Sequence, residues 1–214
     1  MKTVAMVPMK LKNERLPGKN TKLLGGVPLC KYQLNALKKV ESIDEIYVYC
    51  SDSAIKEFLP EDVIFLQRPK WLDEPTSNFS QIFETFNSQV DADIYVFDHV
   101  TAPFLKTATI EKCLSAVVDG SHDSAFCAVK IQDFLWQNGQ PLNFDASNLP
   151  RSQDLPIIYR ETSGVYVFRR EVFEKLHRRI GNNPYLMEVS FKESIDINNP
   201  EDFRLAEAML NIEI

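Results

Sequence analysis

Lys10, Lys12, Arg15 and Lys19 crowd into one short stretch, with Pro17 and Gly18 bending the backbone and Asn20 following. Cations this close repel one another unless water or a bound anion balances them. A nucleoside triphosphate is a chemically suitable anion. Lysine supplies a mobile point charge, arginine a two-pronged fork for phosphate oxygens, and loop N–H groups add fixed dipoles. The pattern GxxxxGK followed by Ser or Thr is absent, so this is a different kind of loop from the P-loop. A solvated basic surface is the alternative that composition alone leaves open.

Other chemistries find less support. Cys30, Cys50, Cys113 and Cys127 are widely spaced in apolar surroundings and form no CxxC pair, which predicts buried free thiols. His99, His122 and His177 lack the close spacing of a zinc site. The formal charge of −6 argues against nucleic acid as a partner, because that binding draws on a basic surface. No apolar run approaches the roughly 20 residues that span a bilayer, and Met1 to Val4 do not open a signal peptide. The expectation is a cytoplasmic protein with no membrane partner.

The elements that must position the basic loop follow a βαβ rhythm. Thr3 to Pro8, Ile46 to Cys50, Val63 to Leu66, Ile94 to Phe97, Ser124 to Val129 and Gly164 to Phe168 are short apolar runs that predict strands. Helices are expected from Pro28 to near Glu41, Ser80 to Val90, Thr107 to Asp119, Glu171 to Arg179 and Glu201 to Leu210. The last has Asn198 or Asn199 as cap and Pro200 at its first position. Gln137, Asn138, Gly139 and Gln140 mark a hairpin within Leu135 to Phe144. With 44% hydrophobic and 25% charged residues, the 214-residue chain is read as one three-layer α/β domain, residues 1–214, with a mostly parallel sheet and a small β excursion at 131–163. In such sheets ligands bind beyond the carboxyl ends of strands, so the loops after Pro8, Cys50 and Phe97 and the segment around Asp196 should share one rim.

Arg15-Leu16-Pro17-Gly18-Lys19-Asn20, followed by Leu24-Gly25-Gly26-Val27-Pro28-Leu29, resembles the opening signature of the CMP-sugar synthetases. That family includes the acylneuraminate and KDO cytidylyltransferases. The resemblance extends nearly end to end. Cys50-Ser51-Asp52 is similar to a Ser-Thr-Asp that closes the family's second strand, and Arg68-Pro69 to its Arg-Pro after the third. Thr101-Ala102-Pro103 resembles the end of Gln-Pro-Thr-Ser-Pro, with His99 in place of the Gln. Arg151-Ser152-Gln153-Asp154-Leu155-Pro156 and Tyr159-Arg160 through Tyr166 resemble two acceptor-side segments, with Thr162 where Asn is usual. Ser194-Ile195-Asp196-Ile197-Asn198 resembles Ser-Ile-Asp-Ile-Asp, with Asn198 in place of the second Asp.

The resemblance implies a nucleotide-diphospho-sugar transferase-like, Rossmann-like fold and transfer of CMP from CTP to an acidic sugar such as a sialic acid, with release of pyrophosphate. It places CTP on Lys10, Asn13, Arg15, Lys19, Asn20, Ser51, Asp52 and Arg68. The acceptor falls to His99, Thr101, Gln153, Arg160 and Tyr166. Lys10, Arg15, Lys19 and Asp196 would carry the chemistry. Alternation along a strand would send positions 196 and 198 to one side, where both could face Mg²⁺. It also implies a homodimer, with Leu135 to Asn148 reaching toward the partner. KDO or another acid such as a phosphonate is an alternative acceptor. A CTP-binding protein that has lost catalysis is the reading favoured by Asn198 and by Lys10, which stands where many sialic acid members have Arg.

Overall fold

Runs of β-branched and aromatic residues bounded by polar breaks build the central sheet. The structure is a computed structural model that describes residues 1–212; Glu213 and Ile214 lie outside them. In chain order the strands are β1 (Thr3–Met9), β2 (Leu23–Leu24), β3 (Val27–Pro28), β4 (Glu45–Cys50), β5 (Val63–Gln67), β6 (Ile94–Asp98), β7 (Ser124–Ile131), β8 (Trp136–Gln137), β9 (Gln140–Pro141), β10 (Ile158–Arg169) and β11 (Pro184–Glu188). The helices are α1 (Leu29–Leu37), α2 (Phe79–Asn87), α3 (Thr107–Val118), α4 (Arg170–Leu176) and α5 (Pro200–Met209).

Seven strands pair in the order β11-β7-β10-β6-β1-β4-β5. All neighbours are parallel except β10, which runs antiparallel to both β6 and β7. The run expected at Gly164 to Phe168 is therefore the second half of a longer, reversed strand whose ladder with β7 shifts register between Glu161 and Tyr166. The edge strand β11 was not anticipated. Its residues are half-buried rather than sealed, and it opens on a proline, which an edge tolerates.

The sheet carries helices on both faces. Aliphatic side chains such as Ala5, Val7, Val48 and Val96 pack on α1 and α3. The other face is aromatic: Tyr49, Tyr95, Phe97, Tyr166 and Phe168 meet Phe83 and Phe86 of α2 and Phe173 of α4. All four cysteines are buried and unpaired, as expected. Among the described residues no helix is long and apolar enough to cross a membrane.

Several element ends differ from the expectation for local reasons. Helix α1 stops at Leu37 rather than near Glu41. Asn78 starts α2 one residue early through a capping box with Gln81. Helix α4 ends at Leu176 instead of Arg179, because His177 takes a left-handed conformation, φ 54°, and turns the chain. Asn199, not Asn198, caps α5, and Asp202 completes the capping box with Pro200 at the first position.

A third, small cluster matters most for the site. Leu16 of the basic loop packs with Leu24, Leu29, Ile195 and Ile197 and with Phe203, Ala206 and Met209 of α5. Each buried aliphatic here contributes about 1.5–3 kcal/mol. The cluster therefore ties the loop to the Asp196 segment across almost the whole chain length.

Candidate active site

Strand β1 delivers Lys10 to the carboxyl edge of the sheet, and the loop after it closes on its own start. Asn20 is buried and its Nδ2 donates to the Lys10 carbonyl at 3.0 Å. Gly18 sits at φ 66°, where a side chain would strain the backbone, and launches the turn Lys19–Thr21. Lys19 is buried, and its Nζ donates to the Ile197 carbonyl at 2.7 Å. Burial lowers its pKa, Asp196 pulls the other way, and Arg15 adds to the depression. Arg15 Nη2 donates to Asn198 Oδ1 at 2.9 Å, and Lys10 Nζ to the Asp73 carbonyl at 3.0 Å. The side-chain oxygens of Asn13 and Asn20 are buried without a hydrogen-bond partner.

The segment from Ile195 to Asn198 has no regular secondary structure, which corrects the expected strand alternation. Its backbone is pinned instead at Ile197, whose N–H donates to the Thr101 carbonyl at 2.8 Å. The N–H groups of Asn198 and Asn199 donate to Asp202 Oδ2 at 2.8 and 3.0 Å. Asp196 and Asn198 nevertheless meet: Asn198 Nδ2 donates to Asp196 Oδ2 at 2.7 Å. Asp196 Oδ1 is buried with no partner among the described residues. A buried carboxylate oxygen without a donor suits a hard cation, and Mg²⁺ commonly takes one or two protein oxygens and completes its shell with water and phosphates. Among the described residues no group of three or more His, Cys, Asp or Glu gathers to hold a metal alone.

Arg68 is buried, and its charge is spent inside the protein on the Asp73 carboxylate. Ser51 donates to the same carboxylate. Asp73 thus organises three residues assigned to CTP, namely Lys10, Ser51 and Arg68, and was missed; an acid five positions after Arg68 was the signal. Asp52 is exposed and accepts from the Ala54 N–H at 3.0 Å, capping a short turn. Ser51 and Asp52 line a recess of about 270 Å³ with Lys12, Gln67 and Asp73. The larger cleft, about 470 Å³, is lined by Lys10, Asn13, Arg15, Lys19, Asn20 and Arg68, the phosphate end, and by His99 and Thr101, the acceptor end; the two adjoin at Ile197, which accepts from Lys19 and donates to Thr101.

His99 Nδ1 lies 2.6 Å from the Ser163 carbonyl oxygen, so that nitrogen must carry the proton, leaving the Nε2 lone pair free to accept. Burial, reinforced by the Arg179 charge, pushes its pKa down to about 4, so the ring is neutral at ordinary pH. The ring packs edge-on against Phe97 and Tyr166 at 4.9 and 6.3 Å between centroids. Tyr166 is buried and its hydroxyl donates to Glu161; burial leads in raising its pKa. Arg160 is exposed and lines an adjoining recess of about 440 Å³ with Arg15, Asp196, Asn198 and Asp202. Gln153 lines none of these hollows. It stands exposed on the excursion, where its backbone carbonyl accepts from Gln132 Nε2 at 2.9 Å. The chemistry-bearing residues thus divide among adjoining hollows: Lys10, Asn13, Arg15, Lys19, Asn20, Arg68, His99 and Thr101 line the main cleft, Ser51 and Asp52 one neighbour, and Arg160, Asp196 and Asn198 the other, while Tyr166 and Gln153 line none of the three.

The match to known proteins spans the same elements. The family model described as "Cytidylyltransferase" matches residues 4–211. The N-acylneuraminate cytidylyltransferase of Oncorhynchus mykiss is 25% identical over 202 residues, covering 90% of this chain and 46% of that protein. The chain therefore spans about half the length of the fish relatives it matches. The 3-deoxy-manno-octulosonate cytidylyltransferase 2 of Hydrogenovibrio crunogenus is 24% identical, covering 99% of both chains. Among solved structures, a CMP:2-keto-3-deoxy-manno-octonic acid synthetase complexed with CTP superposes with a TM-score of 0.73 over 98% of each chain at 17% identity, a likeness of fold. With the model match running from β1 to the end of α5, the chain belongs to the cytidylyltransferase family.

Proposed function

We propose that this protein transfers the cytidylyl group of CTP to an acidic sugar of the nonulosonate class. An oxygen of the acceptor attacks the α-phosphorus, a new P–O bond forms, and the bond to the leaving pyrophosphate breaks. The observation that carries the proposal is the single cleft lined by both the cationic loop and a neutral, hydrogen-bond-oriented His99.

Lys10, Arg15 and Lys19 would balance the charge that grows on the phosphates, acting from a loop that is already folded and so needs no rearrangement at the reacting step. Asp196 Oδ1 and the side-chain oxygen of Asn198 are the protein groups that would hold Mg²⁺, which supplies charge neutralisation on the triphosphate when bound. His99 Nε2 and Thr101 would orient the acceptor, which contributes through alignment. Exposed Trp136, Leu142 and Leu149 on the excursion support a homodimer that covers them.

One feature supports a second reading, a CTP-binding protein with weakened catalysis. The Asn198 amide bridges Arg15 and Asp196, so a metal ion must compete for its oxygen. The test is pyrophosphate release with Mg²⁺, each ribonucleoside triphosphate, and a panel of N-acetylneuraminate, N,N'-diacetyllegionaminate, 3-deoxy-manno-octulosonate and phosphonates. Release that requires CTP and one acid is the expected result. CTP binding without release for any acid supports the second reading and retires the first.

A further inference from the structure

Arg179 has been given no role by any motif, yet the fold places it with care. The left-handed turn at His177 ends α4 and carries the chain back over the end of the sheet. There the Arg179 guanidinium lies 3.6 Å from the centre of the Tyr166 ring, 5.7 Å from Phe97 and 5.5 Å from Phe79. Tyr166 pairs with Phe97 in the β10–β6 ladder, and two residues beyond Phe97 is His99, which lines the cleft. The guanidinium therefore stands against the two rings that pack on His99.

Its hydrogen-bonding capacity is unspent. Among the described residues its N–H groups make no hydrogen bond; its one ion-pair partner, Glu161, is 3.7 Å away, too far for one. The Glu161 carboxylate is held instead by the Tyr166 hydroxyl. The side chain is 27% exposed, so the charge is stacked and oriented but still reachable. Its field is felt in the cleft, where it is the second cause, after burial, of the low pKa of His99.

We infer that Arg179 binds the acceptor's carboxylate through its free N–H fork, using the Tyr166 ring as a rigid platform and Glu161 as a balancing charge. Arg160 is the rival for this task, but it is exposed and, among the described residues, its side chain makes no hydrogen bond or ion pair, so ordering it would cost the rotamer freedom that Arg179 has already lost. Stacking on aromatic faces leaves the edge of a guanidinium, where the donors lie, open to a planar anion. The acceptor is thereby specified as a sugar acid whose carboxylate reaches the Tyr166 side of the cleft. The site rests on the cytidylyl-transfer reading for the identity of its ligand.

The experiment measures binding of N-acetylneuraminate and 3-deoxy-manno-octulosonate, and of their methyl esters, by calorimetry in the presence of CMP, alongside KM values from pyrophosphate release. Proteins compared are the wild type, Arg179→Met, Arg179→Lys and Glu161→Gln, with thermal melts to show that each is folded. Loss of a bidentate, charge-assisted pair should weaken acid binding in Arg179→Met about 30-fold while leaving the KM for CTP within about twofold. Arg179→Lys should recover part of that loss, Glu161→Gln should bind acid several-fold tighter, and the ester should bind equally weakly to wild type and Arg179→Met. Equal acid binding by wild type and Arg179→Met, equal loss of acid and ester, or no binding of either acid by the wild type overturns the site. Arg179-dependent acid binding without any pyrophosphate release keeps the site and removes the transfer reading; release that is indifferent to Arg179→Met does the reverse.

Discussion

The two ends of the cleft are built on opposite plans. At the phosphate end Lys10, Arg15, Lys19 and Arg68 each have a protein partner: the Asp73 carbonyl, Asn198, the Ile197 carbonyl and the Asp73 carboxylate. By contrast, Arg179 is stacked on rings with no hydrogen bond among the described residues, and His99 keeps a free Nε2. Cations that crowd together must be held by the protein if the loop is to keep its shape without ligand. A single guanidinium on an aromatic face can wait. Interactions at the first end hold a shape; those at the second remain for discrimination.

The largest expected effect separates these plans by stability. Asp73→Ala leaves the buried Arg68 charge without its partner and should cost about 3–5 kcal/mol in chemical denaturation, because the desolvation of an unpaired ion is not offset. Arg179→Met, at the other end, should cost less than about 1 kcal/mol, since a flexible apolar chain can take over the stack. Similar losses for the two variants would erase the contrast.

The last residue of β6, which directly precedes His99, offers the next largest effect. Asp98 is fully buried, neither carboxylate oxygen has a partner among the described residues, and burial raises its pKa to about 8. Below pH 4 the acid is protonated in folded and unfolded chains alike. As pH rises from about 4 toward 8, the unfolded chain sheds the proton and the folded chain keeps it, so stability falls; above 8 the loss levels off. Asp98→Asn removes this titration. Its advantage over the wild type should grow from near zero at pH 4 to on the order of 4 kcal/mol at pH 7, read from denaturation curves across pH. Parallel curves would mean that Asp98 ionises normally.

Lys19→Met comes third. It removes the one loop cation that is both buried and bonded to the Asp196 segment, and kcat/KM for CTP should fall by about 10²–10³ with little change in the KM of the acid. An equal rise in the KM of the acid would show that the two ends do not act separately.

The phosphate end was legible because its information is local. The cations, Gly18 and Asn20 lie within a few residues, and Asn199, Pro200 and Asp202 announce the start of α5. The apolar runs Thr3 to Pro8 and Ile94 to Phe97 announced the strands that carry the site, each of which runs one residue further. The acceptor end was not legible in the same way. The direction of β10 is set by its partners β6 and β7, and no residue within it says so. Helical periodicity from Glu171 runs through Arg179, while the left-handed His177 that frees Arg179 carries no strong marker. Asp73 escaped notice because its task, neutralising Arg68, exists only once Arg68 is buried.

The smallest effect tests the point where the two plans touch. Asn198 accepts from Arg15 and donates to Asp196, so its amide links the loop to the carboxylate that suits a cation. Asn198→Asp replaces the donor on Asp196 by a second carboxylate. In the absence of a cation the two acids repel, and Arg15 can balance only part of that charge. With Mg²⁺ present, both offer oxygen to one ion. The half-saturating Mg²⁺ concentration for pyrophosphate release should therefore fall about tenfold, corresponding to roughly 1.4 kcal/mol. The melting temperature of the variant without Mg²⁺ should drop and then recover when the ion is added. Should the variant need as much Mg²⁺ as the wild type, the pair at 196 and 198 does not hold the ion. Asn198 would then serve to bind Arg15 and shape the loop, which would assign the 196–198 pair to scaffolding and leave charge neutralisation at the phosphates to Lys10, Arg15 and Lys19.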